Sequence, residues 1–245
     1  LRCLMIDLHA HILPAVDDGA GTFEEALAMC RRAAEEGCEA IVATPHQRHP
    51  RWGNDDVEAL NQLRRNLQEA LGSRLTIYSG GEVRVDSELL DAMDRPDREG
   101  ILPLAGGRHL LIEFPRNEVG PNPVEIVHEL AVAGWFPILA QPEVIPWLAH
   151  EIPLLERLVE LGGRLQLTAM SFTGEFGRAP REAARKILDH GLGHLLASDC
   201  HGVERRPPGL RRAADLIAER WDREVATRLT YENPKAVLED RPIAA

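Results

Sequence analysis

The chain has 245 residues, enough for one large hydrophobic core, and we expect a single domain over residues 1–245. Hydrophobic residues make up 44% and charged residues 27%, a balance typical of a globular protein rather than a disordered or fibrous one. The net charge of −11 at pH 7 argues against nucleic acid or an anionic membrane as the main partner.

No apolar run approaches the roughly 18–20 residues that a membrane-spanning helix needs, so we expect no direct membrane insertion. The N-terminal residues become charged too early for a signal peptide, which predicts a cytoplasmic protein. Because the cysteines form no CxxC pair, we expect reduced thiols at Cys3, Cys30, Cys38 and Cys200. Nothing in the sequence predicts an oligomeric state.

Short apolar runs alternate with amphipathic patterns along the chain. The apolar runs predict strands at residues 3–8, 40–44, 75–79, 110–114, 136–140, 164–168 and 194–197. The amphipathic patterns predict helices at residues 22–37, 55–71, 123–133, 153–161, 180–189 and 210–220. The first helix begins with a capping-box pair, Thr22 and Glu25, and ends at Gly37.

This alternation of apolar strands with helices predicts a parallel sheet covered by helices, an α/β fold. Polar residues collect after nearly every predicted strand, as they do at the C-terminal mouth of a β/α barrel. A closed or distorted barrel is therefore favoured over an open doubly wound sheet, which stays possible.

The first predicted strand leads into two histidines. Positions two apart on a strand face the same side, so His9 and His11 point together while Leu8 and Ala10 point into packing. Two imidazoles aimed at one point suit a transition metal ion. An isolated pair of this kind is more often a pair of surface histidines, so it needs support from other strand ends.

Further candidate ligands follow the next three strands. His46 comes after the second strand and Glu82 after the third. Glu113 lies within the apolar fourth strand, where burying it unpaired would cost several kcal/mol. A neighbouring cation would remove that cost, and a buried ion pair with an arginine would do so as well.

The last predicted strand ends in Asp199 and His201, which also share a face. Asp18 belongs to an Asp-Asp-Gly sequence that, taken alone, is an ordinary turn. Together with the other strand ends, these residues form a set of imidazoles and carboxylates that suits Mn²⁺, Fe²⁺ or Zn²⁺.

Four motifs, in their order along the chain, resemble the PHP superfamily: residues 7–11 (DLHAH), 17–19 (DDG), 44–46 (TPH) and 198–201 (SDCH). A narrower resemblance is to the bacterial tyrosine-protein phosphatases that regulate capsule and exopolysaccharide synthesis. It rests on residues 11–14 (HILP), 81–84 (GEVR), 206–208 (RPP) and 232–234 (ENP). The resemblance extends over almost the whole chain.

The resemblance implies a distorted seven-stranded (β/α) barrel of PHP type that holds two to three divalent metal ions, most often Mn, with Fe, Co or Zn as other candidates. It implies a first metal site of His9, His11, Glu82 and Asp199, with Glu82 bridging to a second site. The second site would contain Glu113 and the position of Gln141. The third would contain Asp18, His46 and His201.

The implied activity is that of a metal-dependent phosphomonoesterase, in which a hydroxide shared between metals attacks phosphorus. The implied substrate is the phosphotyrosine tail of a bacterial tyrosine kinase, or a phosphotyrosine peptide. Arg206 would grip the phosphate oxygens beside the catalytic residues Asp199 and His201.

The chain departs from the family pattern after the fifth strand. The pattern is His-Pro-Glu-Arg, and this chain has Gln141, Pro142, Glu143 and Val144. Gln141 replaces an imidazole ligand with a weaker one, so the second metal site is expected to be weak, empty or completed by water. Val144 removes a cation near the phosphate, a contact worth on the order of 1.5–3 kcal/mol. Arg48, Arg51 or Arg205 are candidates to replace it, and we expect Arg48 and Gln141 to contact the substrate.

A cysteine-dependent phosphatase is a competing interpretation, because Cys200 and Arg206 have the spacing of a thiolate and its phosphate-binding arginine. Glu204 in the intervening loop and the alternation of Cys200 away from Asp199 argue against it. Two further hypotheses keep the fold: a phosphoesterase of a small ester such as histidinol phosphate, and a weakened module that binds phosphotyrosine without hydrolysing it.

Overall fold

In the computed structural model, which describes residues 4–117 and 120–244, parallel strands form two sheets. The strands are β1 (Met5–Ala10), β2 (Cys38–Ala43), β3 (His46–Gln47), β4 (Thr76–Ser79), β5 (Glu82–Arg84), β6 (His109–Glu113), β7 (Phe136–Ala140), β8 (Arg164–Thr168) and β9 (Leu195–Ala197). The three-stranded sheet has the order β1-β2-β4, and the six-stranded sheet has the order β3-β5-β6-β7-β8-β9. Every neighbouring pair is parallel, which confirms the predicted α/β fold.

The predicted count of seven strands is not confirmed, and the described residues form no closed barrel. Two continuous runs are each divided into two strands, at Thr44-Pro45 between β2 and β3 and at Gly80-Gly81 between β4 and β5. Proline offers no N–H to a ladder. A Cβ at Gly81 would lie 2.0 Å from Oε1 of Gln47, so only glycine fits there.

The helices cover the sheets. They are α1 (Phe23–Glu36), α2 (Val57–Leu71), α3 (Leu89–Met93), α4 (Pro123–Val132), α5 (Ile152–Glu160), α6 (Ala169–Thr173), α7 (Arg178–Asp189), α8 (Leu210–Arg220), α9 (Arg223–Thr227) and α10 (Asn233–Leu238). The predicted ends of α1 are confirmed, because the Thr22 hydroxyl accepts the Glu25 N–H and Gly37 ends the helix with φ of 103°. The part of the chain that the structure describes contains no helix both long enough and apolar enough to cross a membrane.

The seven predicted strands and six predicted helices correspond to observed elements within a few residues at either end. The start of the first predicted strand, including Cys3, lies outside the described residues. The short strands β3 and β5 and the helices α3, α6, α9 and α10 were not predicted. They are two to six residues long, too short to show a hydrophobic period.

Apolar side chains fill both faces of the strands. The larger cluster joins strand residues such as Ile41 and Leu110 to the covering helices. A smaller cluster contains Leu8 and Leu111 and is closed by Val237 of α10. Both faces of the sheets are therefore packed, which leaves the carboxyl ends of the strands as one place for a site. Cys30, Cys38 and Cys200 are buried free thiols, as expected.

His194, directly before β9, is buried in its neutral form at the opposite end of the strands. Its Nδ1 accepts the backbone N–H of Leu165 at 3.2 Å, which requires that this nitrogen carry no proton. Burial, with Arg164 nearby, lowers the pKa of His194 to about 4. Because this pKa is below the ordinary value of about 6.5, the stabilisation is complete above pH 6.5 and is lost as the pH falls toward 4.

We expect the unmodified chain to lose unfolding free energy between pH 7 and pH 5. In His194→Asn this loss should be smaller by about 2 kcal/mol. Asparagine keeps an acceptor near the Leu165 N–H and has no imidazole to protonate. Urea unfolding at the two pH values measures the effect. His190→Asn is the control, because His190 is exposed directly after α7; this variant should behave as the unmodified chain. Equal losses in all three proteins would contradict the assignment.

Candidate metal centre

Polar side chains from the carboxyl ends of the parallel strands line one cavity of about 600 Å³. The predicted site residues that line it are Asp18, His46, Glu113, Gln141, Asp199, His201 and Arg206. The other predicted metal ligands, His9, His11 and Glu82, are buried directly beneath them. The structure therefore brings together side chains that are almost 200 positions apart in the sequence.

The deepest group contains His9, His11, Glu82 and Asp199. The Nε2 atoms of the two histidines lie 3.2 Å apart. Glu82 approaches both of them at 3.3 Å. Oδ1 of Asp199 lies 3.4 Å from Nε2 of His9 and 3.5 Å from Nε2 of His11. Nitrogen and oxygen atoms from four residues thus surround one buried point.

Outer partners orient both imidazoles of this group. Nδ1 of His9 donates to Oε1 of Gln166 at 2.8 Å, and Nδ1 of His11 donates to Oδ2 of Asp17 at 2.8 Å. Each histidine therefore presents Nε2 to the other residues of the group. With both Nδ1 atoms donating elsewhere, the two Nε2 atoms at 3.2 Å can hydrogen-bond to each other only when one ring is protonated on both nitrogens. A cation coordinated by both nitrogens would satisfy two neutral rings, so these residues fit a metal ion.

A second observation supports the fit. Oδ1 of Asp199 is buried and has no hydrogen-bond partner among residues 4–117 and 120–244. An ionised carboxylate oxygen buried without a partner is costly, and a metal ion would satisfy it. A group of His9, His11 and Asp199 has ligand atoms close enough for one ion.

The upper group contains His11, Asp18, His46 and His201, whose ligand atoms are also within reach of one ion. Oδ1 of Asp18 lies 3.4 Å from Nε2 of His46 and 3.4 Å from Nε2 of His201. The rings of His11 and His201 stack with centroids 4.0 Å apart. This group is the predicted third site with His11 added.

The carboxylates set the proton affinity of the imidazoles. Burial opposes the charged form of His46, but Glu82 and Asp18 outweigh it and raise the pKa of His46 to about 10. Burial also opposes charge on His9, where Glu82 and Asp199 raise the pKa. Hydrogen bonds from His201 and His46 hold the pKa of Asp18 far below its ordinary value. The same negative field that attracts protons to these nitrogens attracts a divalent cation.

The third group is His46, Glu82 and Glu113, which joins Glu82 and Glu113 of the predicted second site to His46 of the predicted third site. The side-chain amide of Gln141 lies beside its two carboxylates. Nε2 of Gln141 donates to Oε1 of Glu82 and to Oε1 of Glu113, each at 3.2 Å. Oε1 of Gln141 accepts Nη2–H of Arg116 at 2.7 Å. The amide thus turns its donor, not its oxygen, toward the carboxylates. Burial and the nearby Glu82 raise the pKa of Glu113 to about 7.

Of the four arginines predicted near the phosphate, Arg206 and Arg51 line the cavity, and Arg48 and Arg205 do not. Arg206 lies in the cavity, where Nη2 contacts Asp199 and Nη1 lies 3.1 Å from Nε2 of His201. Arg48 does not line the cavity. It is paired with Asp86 at 3.0 Å and with Glu99 at 2.6 Å, so the structure does not bring this predicted substrate contact to the site.

Sequence reasoning missed three residues of the site. Gln166 lies on β8, where polar and apolar residues alternate, and this period-two pattern was a signal that could have identified it. Asp17 was visible only as part of the Asp-Asp-Gly motif. Arg116 had no sequence signal, because its contact with Gln141 joins two separate loops.

The structure does not support a cysteine-dependent phosphatase. Cys200 is fully buried and does not line the cavity. Burial raises the pKa of the Cys200 thiol well above its ordinary value, which disfavours the reactive thiolate.

Trp52 lines the cavity and stacks on the candidate ligand His46, with ring centroids 5.3 Å apart and planes 7° apart. A paramagnetic ion near an excited indole quenches its emission. We therefore expect Mn²⁺ to lower the tryptophan fluorescence of the chelator-treated protein in a saturable manner.

Most of this quenching should be absent in Trp52→Phe and retained in Trp221→Phe, because Trp221 contacts Phe172 and Asp189 away from the cavity. A fluorescence titration of the three proteins measures it. Equal quenching in both variants would place the ion elsewhere.

The fold and the site define a class: α/β proteins with parallel strands whose carboxyl ends carry a candidate metal centre of imidazoles and carboxylates. The family model described as capsular polysaccharide synthesis, CpsB/CapC, matches residues 5–239. The chain belongs to this CpsB/CapC family.

Relatives of known name agree. The chain is 37% identical over 207 residues to CapC of Staphylococcus aureus, covering 83% of this chain and 79% of the relative. It is 32% identical over 242 residues to the tyrosine-protein phosphatase YwqE of Bacillus subtilis, covering 98% and 93%. A crystal structure from work on YwqE of B. subtilis and CpsB of Streptococcus pneumoniae, described as metal-dependent tyrosine phosphatases, matches with a TM-score of 0.89 and 30% identity. That match covers 98% of this chain and 96% of the other.

Proposed function

We propose that this chain is a metal-dependent protein-tyrosine phosphatase that acts on the phosphotyrosine tail of a bacterial tyrosine kinase in capsule or exopolysaccharide synthesis. The activity and the substrate class are those of its relatives YwqE and CpsB. The observation that carries the proposal is the convergence of His9, His11, Glu82 and Asp199 on one buried point below a solvent-accessible cavity.

We infer that the cofactor is a cluster of two to three divalent ions, with Mn²⁺ first among Mn, Fe, Co and Zn. The buried group of His9, His11, Glu82 and Asp199 would hold one ion, and Asp18, His46 and His201 would hold another. Bound ions supply charge neutralisation at the phosphate and an activated water.

The residues of the chain would then bind and orient the substrate. Arg206, beside Asp199 and His201, presents a planar guanidinium at the cavity wall, suited to two phosphate oxygens. Asp17 and Gln166 keep the imidazoles of His11 and His9 in one orientation, which holds the ligand set ready for each cycle. The phenolate of tyrosine is a fairly good leaving group, so the demand for a strong general acid is modest.

We also infer that the two sheets belong to one distorted barrel of seven strand segments and that residues 1–245 form one domain. The short breaks support this, since only two residues separate β2 from β3 and β4 from β5. A parallel bridge between Ala10 and Cys200 places β1 beside β9. We also propose that the protein acts in the cytoplasm.

An assay on a phosphotyrosine peptide tests the function. The chelator-treated protein should be inactive, Mn²⁺ should restore turnover, and elemental analysis should find at least one transition metal per chain. Cys200→Ser should retain activity, because the thiol lies outside the cavity. Faster turnover of histidinol phosphate than of the peptide would instead favour a small phosphate ester. Binding of the peptide without turnover would favour a binding module.

A further inference from the structure

Arg116 occupies the cavity wall on the loop that follows β6. Its side chain is 43% exposed, so a ligand in the cavity can reach it. The loop is held in place, because the indole N–H of Trp147 donates to the carbonyl of Pro115 at 2.8 Å. The backbone that carries Arg116 is therefore anchored to a neighbouring segment.

The guanidinium of Arg116 is itself oriented. Nη2 donates to Oε1 of Gln141 at 2.7 Å, and Nε lies 3.9 Å from Oε1 of Glu113. Gln141 is buried and fixed from its other end by its two hydrogen bonds to Glu82 and Glu113. Within residues 4–117 and 120–244, Nη1 of Arg116 has no hydrogen-bond partner. One edge of a fixed planar donor is thus available to a ligand.

The charge balance of the cavity indicates what that ligand is. Val144 leaves an apolar side chain where the family pattern has a cation, and Arg48 is bound to Asp86 and Glu99. Among the described residues, four arginines line the cavity: Arg51, Arg84, Arg116 and Arg206. Arg206 is already in contact with Asp199, and Arg116 is the one held by the buried Gln141. A phosphate dianion that enters beside these carboxylates needs a second fixed cation.

We propose that Arg116, positioned by Gln141, is a phosphate-binding residue of this chain and supplies the cation that Val144 lacks. The assignment rests on the proposed phosphatase function and adds a specific contact to it. The two departures from the family pattern are then linked. The amide of Gln141 holds Arg116, and Arg116 replaces the arginine that the family pattern has at position 144.

Calorimetric binding of inorganic phosphate to the Mn²⁺-loaded protein tests the proposal, together with kcat and KM for a phosphotyrosine peptide. Arg116→Ala should raise the Kd for phosphate about tenfold, since a charged hydrogen bond is lost. Arg116→Gln, which keeps the length but not the charge, should do the same, and Arg116→Lys should have an intermediate effect. KM should rise in parallel. Arg157→Ala, on α5 outside the cavity, is the control and should leave the Kd unchanged.

The proposal is overturned if Arg116→Ala and Arg116→Gln change the Kd no more than Arg157→Ala does, or if the unmodified protein binds no phosphate. Its failure is distinct from failure of the phosphatase function. If the protein hydrolyses the peptide but its Kd for phosphate does not depend on Arg116, only the Arg116–phosphate contact is refuted. A chain whose phosphate affinity depends on Arg116 but that hydrolyses no phosphotyrosine refutes only the activity.

Discussion

Glu82→Gln is expected to lower kcat/KM for a phosphotyrosine peptide by about a thousandfold, equivalent to roughly 4 kcal/mol of transition-state stabilisation. Glu82 is buried and lies 3.3 Å from both His9 and His11 and 2.9 Å from His46. It is the carboxylate shared by the deepest group and the third group. A neutral amide would weaken metal binding at both, and elemental analysis of the variant should show fewer ions per chain.

Glu143→Gln provides the matched control, because Glu143 is a second buried glutamate in the same region. One of its oxygens accepts the Thr168 N–H at 2.7 Å and the Ser171 hydroxyl at 2.8 Å. Burial raises the pKa of Glu143 to about 7, so replacing it by a neutral amide is a small change near neutral pH. We expect activity within about threefold of the unmodified chain. A similar loss in both variants would mean that Glu82 matters only for folding.

The second large effect is expected from restoring the family pattern with Gln141→His and Val144→Arg together. The imidazole would replace the amide between Glu82 and Glu113 with a metal ligand. The arginine would add a phosphate contact to those of Arg206 and Arg116, worth on the order of a tenfold change in affinity. We expect the metal content to rise by about one ion per chain and kcat/KM to rise about tenfold or more.

Gln141→Asn is the control for this double variant, because it shortens the side chain without adding a ligand. It should leave the metal content unchanged. If the double variant gains neither metal nor activity, the two departures from the family pattern do not limit catalysis.

Much of the site could be predicted because its residues follow apolar strands. His9 and His11 share a face by the period of a strand, and Asp199 and His201 do so at the other end of the chain. Once the strands are parallel, their carboxyl ends meet, and the ligands converge as a consequence. The side-chain chemistry and the strand pattern are both local properties of the sequence.

The remaining features depend on contacts between distant loops. Nothing near Arg48 in the sequence indicates that Asp86 and Glu99 bind it. The orientation of the Gln141 amide follows from its neighbours, since carboxylates accept and Arg116 donates. The short strands β3 and β5, beyond the breaks at Thr44-Pro45 and Gly80-Gly81, were equally hidden, because two or three residues show no hydrophobic period.

The pairing of the first strand with the last has a consequence for biosynthesis. The N–H of His11 donates to the carbonyl of Cys200 at 2.9 Å, and the N–H of Asp199 donates to the carbonyl of His9 at 2.8 Å. His9 and His11 leave the ribosome long before Asp199 is translated. A nascent chain therefore cannot assemble the deepest group until Asp199 has left the ribosome, and an ion held by all four residues would be acquired only after that point.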